Sequence, residues 1–76
     1  MTTYVTFGQN HYHEVDGKKI DRDCVAVLPS KTASEGRDLA FRLFGLKFCF
    51  EYFEDQWEEE KMRFFPRGYV DLRESQ

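Results

Sequence analysis

His11 and His13 stand two positions apart, a spacing that on a β-strand turns both imidazoles to one side and can present two nitrogen ligands to a metal ion. Asp21, Asp23 and Cys24 follow within a hairpin's length and carry oxygen and sulfur donors. The spacing is looser than that of a compact ligand motif, so the pair reads first as surface histidines beside a turn. A metal or small-ligand module using Asn10, His11, His13 and Asp23 is the alternative, and no cofactor is expected.

A second group of residues is more concentrated. Glu51 to Glu60 reads EYFEDQWEEE and holds six of the chain's fourteen carboxylates, interleaved with Tyr52, Phe53 and Trp57. Carboxylates steer a basic partner while large rings supply contact area, so the run could serve as a protein-binding or nucleic-acid-mimicking surface. Asp55 and the glutamates from Glu58 onward also suit the first turn of a helix, where free amides and the helix dipole favour negative charge. Glu51 and Glu54 lie on the strand leading in, and with Trp57 they are expected to share one exposed face. Glu51, Glu54, Asp55, Trp57, Glu58 and Glu59 are therefore the expected partner contacts.

Other polar residues have ordinary explanations. Gly8-Gln9-Asn10-His11 reads as a turn, with a ligand loop as the alternative, and Arg67 reads as a turn residue or an anion clamp. The sequence has no glycine-rich phosphate loop, no C-x-x-C pair and no G-x-S-x-G elbow, and no catalytic residues are assigned. The expectation is a protein that is not an enzyme.

The elements that would position these residues follow from pattern. Thr3 to Phe7 is β-branched and aromatic and predicts a strand closed by Gly8. His11 to Val15 and Lys18 to Ile20 flank Asp16-Gly17, a dipeptide suited to a two-residue hairpin turn. The apolar run Cys24 to Leu28, stopped by Pro29, predicts a strand covered on both faces. Thr32 and Glu35 form a capping box for a helix over Ala33 to Phe44, with Gly45 as its left-handed terminator. Gly36, Leu39, Ala40, Leu43 and Phe44 fall on one stripe of that helix, which is expected to pack on a sheet.

Alternation from Lys47 to Glu54 predicts another strand, with Phe48, Phe50 and Tyr52 on one face. Asp55 and Glu58 match a cap for a short helix from Gln56 to about Met62. The turn Phe65-Pro66-Arg67-Gly68 leads to a strand over Tyr69 to Leu72 and a polar tail, residues 72–76. The expected fold is α+β: one domain spanning 1–76, with a mostly antiparallel sheet of four to five strands, the main helix on one face and a short second helix.

Composition narrows the function classes. A chain of 76 residues closes only a small core, helped here by an aromatic content of 17%. A net charge of −3 argues against direct nucleic-acid binding, which needs a surplus of clustered Lys and Arg. No run approaches the ~18 apolar residues of a membrane span, and no leader pattern opens the chain, so no membrane partner and a cytoplasmic location are expected. Cys24 and Cys49 sit in apolar stretches without close pairing and read as buried free thiols.

The segments TFGQNHYHEVDGKKIDRDCVAVL, EGRDLAFRLFGLKFCFEY and FFPRGYVDL, spanning about Thr3 to Leu72, resemble small proteins encoded by phages and prophages. These include the single-domain inhibitors of host defence called anti-CRISPR proteins. The resemblance implies a short, non-enzymatic protein in the host cytoplasm that occupies a surface of a host defence protein, such as a CRISPR effector subunit. It assigns no functional residues. A homo-oligomeric accessory protein, for instance a homodimer, is a further alternative, since a small sheet often covers an exposed edge by pairing across a two-fold.

Overall fold

The computed structural model describes residues 2–8, 11–15 and 17–72. The strands are β1 (Thr2–Thr6), β2 (His13–Val15), β3 (Lys18–Ile20), β4 (Cys24–Pro29), β5 (Phe50–Phe53) and β6 (Gly68–Asp71). Helix α1 spans Ala33–Phe44, and a 3-10 helix spans Glu59–Phe64. Asn10, Asp16 of the hairpin turn and tail residues 73–76 lie outside the described residues.

The architecture is α+β, with a four-stranded sheet ordered β5-β1-β4-β6 and the β2-β3 hairpin as a separate two-stranded sheet. β1 is antiparallel to both β4 and β5, but β6 runs parallel to β4, so the main sheet is mixed. The sequence pattern could not distinguish these arrangements. A strand's direction in the sheet depends on the path of the connection before it, and that path leaves no period in the residues.

β4 is buried along its whole apolar run, from Cys24 through Leu28. Its side chains at Cys24, Ala26 and Leu28 join Val5, Phe7, Leu39, Ala40 and Phe44 in the core beneath α1, while the alternate residues Val25 and Val27 face the other way. Burial on both faces is what an unbroken apolar strand predicts. Ile20 from the hairpin and Leu72 close the ends of this core, so Leu72 belongs to the packed body rather than to the tail, its N–H donating to the Val27 carbonyl at 2.9 Å.

Helix α1 begins and ends where its sequence directs. Thr32 Oγ1 accepts from Glu35 N at 3.1 Å, and Glu35 Oε1 reaches back to Lys31 N at 3.3 Å. Gly45, at φ +63°, lets its N–H turn back to the Phe41 carbonyl at 2.8 Å. Gly36 sets how closely the helix meets the sheet: a Cβ there would overlap Thr3 Oγ1 and lie 2.7 Å from Thr3 Cβ. Thr3 and Ser30 share a buried hydroxyl–hydroxyl hydrogen bond of 2.7 Å beneath that contact.

Two elements depart from expectation. The strand predicted over Lys47 to Glu54 is shortened to Phe50–Phe53, because Phe48 leaves the strand path to pack edge-on against Phe41 of α1, centroids 5.3 Å apart. The short helix is not capped by Asp55. Residues 54–56 form a turn, Glu58 is extended at φ −117° and ψ 121°, and the helix is a 3-10 segment starting at Glu59. Cys49 is exposed rather than buried, whereas Cys24 is buried, and both thiols are free.

Candidate functional site

The chain's connectivity determines where the acidic run lies. β5 is at one end of the sheet order and β6 at the other, and α1 occupies one face. The connection from Glu54 to Arg67 therefore crosses β1 and β4 on the opposite face, here called the outer face. Tyr4 of β1, Tyr52 of β5 and Tyr69 of β6 point to that face, in register with Val25 and Val27 of β4.

Trp57 fastens the connection to this floor. Its ring stacks on Tyr4 with centroids 5.0 Å apart and planes 15° from parallel, and its Nε1–H donates to Tyr69 Oη at 3.1 Å. Tyr52 and Phe65 flank it at 5.5 and 6.5 Å. The stacking requires Trp57 and Glu58 to stay extended across the sheet, and this overrides the local preference for a helix starting at Gln56. The outcome for Trp57 is half-burial: it anchors the segment instead of projecting toward a partner.

The six residues expected to act together are divided between two faces. Glu51 pairs with Val5 in the β1-β5 register and so faces the α1 side, where its carboxylate meets Arg37 Nε at 3.8 Å. Glu54 Oε1 accepts from Thr2 N at 2.8 Å, closing the end of the β1-β5 pair. Asp55, Glu58 and Glu59 are exposed along the crossing connection with Glu60, around the Trp57 anchor. Glu59 also hydrogen-bonds the Tyr69 hydroxyl. Burial pushes that phenol above its ordinary pKa, the Glu59 carboxylate beside it acts in the same direction, and the Trp57 hydrogen bond offsets part of the rise.

An apolar groove of about 330 Å³ opens beside the acidic ridge, over Thr6, between Phe50, Tyr52, Lys61, Phe64 and Phe65. Phe50 and Phe64 are 56% and 65% exposed, while Lys61 Nζ sits 5.3 Å from the Tyr52 ring centroid. Sequence reasoning did not single out Phe64, Phe65 or the tyrosine floor. Tyr4 alternates with Thr3 and Val5, so its outward direction was legible from period two, but what covers it was not.

The histidines are not gathered into a cation site. His13 Nε2 lies 2.6 Å from the Lys47 carbonyl oxygen, and its ring packs against Phe7 and Phe44. Among the described residues, no three His, Cys, Asp or Glu side chains come together as metal ligands. Arg67 acts as an internal carboxylate clamp: Nη1 donates to Asp21 Oδ2 and Nη2 to the Lys19 carbonyl, both at 3.0 Å, tying the hairpin to the turn before β6. Burial pushes the Cys24 thiol above its ordinary pKa, although the Asp21 backbone hydrogen bond pulls the other way.

No helix among the described residues is long and apolar enough to cross a membrane. No family model, curated protein or solved structure matches the chain.

Proposed function

We propose that the protein is a binding inhibitor whose outer face docks on a basic, nucleic-acid-binding surface of a partner, consistent with its resemblance to phage-encoded anti-defence proteins. The observation that carries this reading is the presentation of Asp55, Glu58, Glu59 and Glu60. All four are exposed on a connection that Trp57 pins to a tyrosine floor, next to the exposed rings of Phe50 and Phe64. A fixed acidic ridge loses little conformational freedom on docking, and its field speeds approach of a cationic groove. The neighbouring rings supply the apolar contact that charge alone lacks. The partner class is a host defence protein, with a CRISPR effector subunit as the specific candidate.

The test is CRISPR interference against a phage in cells expressing the protein, scored over a panel of CRISPR types, with effector binding to target DNA measured in parallel. Charge reversal at Asp55, Glu58 and Glu60 is the informative variant, because Glu54 and Glu59 have internal hydrogen bonds whose loss would disturb the fold. The native chain should restore phage growth and displace DNA from the effector, more weakly at high salt, and the triple variant should do neither while keeping its circular dichroism. Full inhibition by the triple variant, or intact interference in every system tested, overturns the reading.

A further inference from the structure

We propose that the open edge of β5 pairs antiparallel with β5 of a second copy of this chain, about a two-fold axis at Glu51. The two ends of the main sheet are treated differently. At β6, the Lys18 ammonium caps the Asp71 carbonyl at 2.6 Å and Arg67 ties the hairpin nearby. β5 ends the sheet with no strand beyond it among the described residues. An edge of this kind is a template for another strand.

Hydrogen-bond phase identifies the residue on the axis. Thr2 N turns toward β5 to reach Glu54 Oε1, and Phe53 N turns away from β1 to the Gln56 side chain at 3.3 Å. With Tyr4 opposite Tyr52 and Thr6 opposite Phe50, strand alternation then gives Tyr52 and Phe50 the bonds to β1. The N–H and C=O of Glu51 are left pointing out of the sheet. A two-fold at Glu51 makes these groups donate and accept reciprocally, whereas an axis at Phe50 or Tyr52 would need groups already bonded to β1.

The side chains suit the same register. Phe50 of one copy falls opposite Tyr52 of the other on the outer face, an aromatic cross-strand pair formed twice. The two Glu51 carboxylates meet near the axis on the α1 side, each accompanied by its own Arg37 at 3.8 Å, which offsets their repulsion. Edge-to-edge pairing also keeps corresponding faces together. Both acidic connections would lie on one side of a continuous sheet and both α1 helices on the other, doubling the field proposed above without depending on that function.

Light scattering on size-exclusion fractions, with sedimentation equilibrium for the dissociation constant, tests the pairing on the full chain. The native protein should show twice the 9.1 kDa chain mass. Glu51→Pro removes the outward N–H without touching a β1 bond and should give a monomer with unchanged circular dichroism. Phe50→Ala, which removes an exposed ring and with it both cross-strand aromatic pairs, should weaken the dimer roughly tenfold. A monomer at every concentration overturns the proposal, as does a dimer that survives Glu51→Pro. If Glu51→Pro fails to fold, Phe50→Ala decides alone, and a dimer that stays as tight as the native one without that ring refutes the register.

Discussion

Replacing Gly36 with alanine sets two effects of opposite sign against each other, and the helix–sheet contact determines which prevails. In an exposed helix interior the change would stabilise by ~0.5–1 kcal/mol, because alanine leaves the unfolded chain less freedom to lose. Here the added Cβ overlaps Thr3 Oγ1 and lies 2.7 Å from Thr3 Cβ and 3.0 Å from Ser30 Oγ. Rotating Thr3 cannot clear its own Cβ, and it would break the buried Thr3–Ser30 hydrogen bond at a cost of ~1–3 kcal/mol. The alternative is to lift α1 from β1, which loosens the core around Leu39 and Ala40 and costs ~1–3 kcal/mol, as overpacking generally does. Net destabilisation of about 1 kcal/mol follows once the propensity gain is subtracted. That is about a tenth to a quarter of the ~4–11 kcal/mol expected for a chain of this size.

Urea unfolding followed by circular dichroism reads this directly. With a slope near ~1 kcal/mol per molar for so small a domain, the midpoint should fall by about 1 M. Ser34→Ala, at an exposed position on the same helix, should leave the midpoint unchanged or slightly raised. In a Thr3→Ala background the cost of Gly36→Ala should shrink, since the overlapping hydroxyl is gone. A Gly36→Ala variant as stable as the native chain would refute the close approach of α1 to β1.

Two further outcomes follow from the hairpin clamp and the titrating groups. Arg67→Met should cost only about 1 kcal/mol, because its contacts with Asp21 are partly exposed, yet amide exchange at Lys18 to Ile20 should speed selectively; Arg67→Lys should not rescue it, lacking the two-pronged geometry. Stability should decline as pH rises through and above about 9. Burial holds the pKa of the folded Cys24 thiol and Tyr69 phenol above their ordinary values of 9.0 and 10.0, so the native state holds protons that the unfolded chain releases. Thermal unfolding from pH 7.5 to 10.5 measures that slope, and Cys24→Ala should flatten it. A thiol reagent at neutral pH should consume Cys49 at once and Cys24 only on unfolding.

Much of the local structure was legible because it is encoded locally. The Thr32 cap, the Gly45 terminator and the apolar stripe gave α1 its bounds, and the unbroken run Cys24 to Leu28 gave a strand buried on both faces. What escaped depended on contacts distant in sequence. The parallel placement of β6, the division of Glu51 from Glu58 by the sheet, and the extended path at Trp57 all follow from where the connection must travel. Arg67 illustrates the limit within a single residue: the sequence suggested an anion clamp, but its anion, Asp21, lies 46 positions away.

The acidic run therefore has a structural role and a proposed functional one, carried by different residues within it. Trp57 and Glu59 face the tyrosines and hold the crossing connection in place, Glu54 closes the end of the β1-β5 pair, and Glu51 pairs with Arg37 on the opposite face. Asp55, Glu58 and Glu60 are left without an internal side-chain bond among the described residues. Glu59 and Glu60 open the 3-10 helix while Lys61 and Arg63 close it, the charge order that free terminal amides and carbonyls favour. The aromatic anchor fixes where that segment lies on the sheet. A ridge positioned in advance gains when a cationic surface arrives, because little ordering is left to be done on docking. Rigid attachment by Trp57 and unpaired charge at Asp55, Glu58 and Glu60 are thus two parts of one arrangement, and removing either should weaken docking on a basic partner.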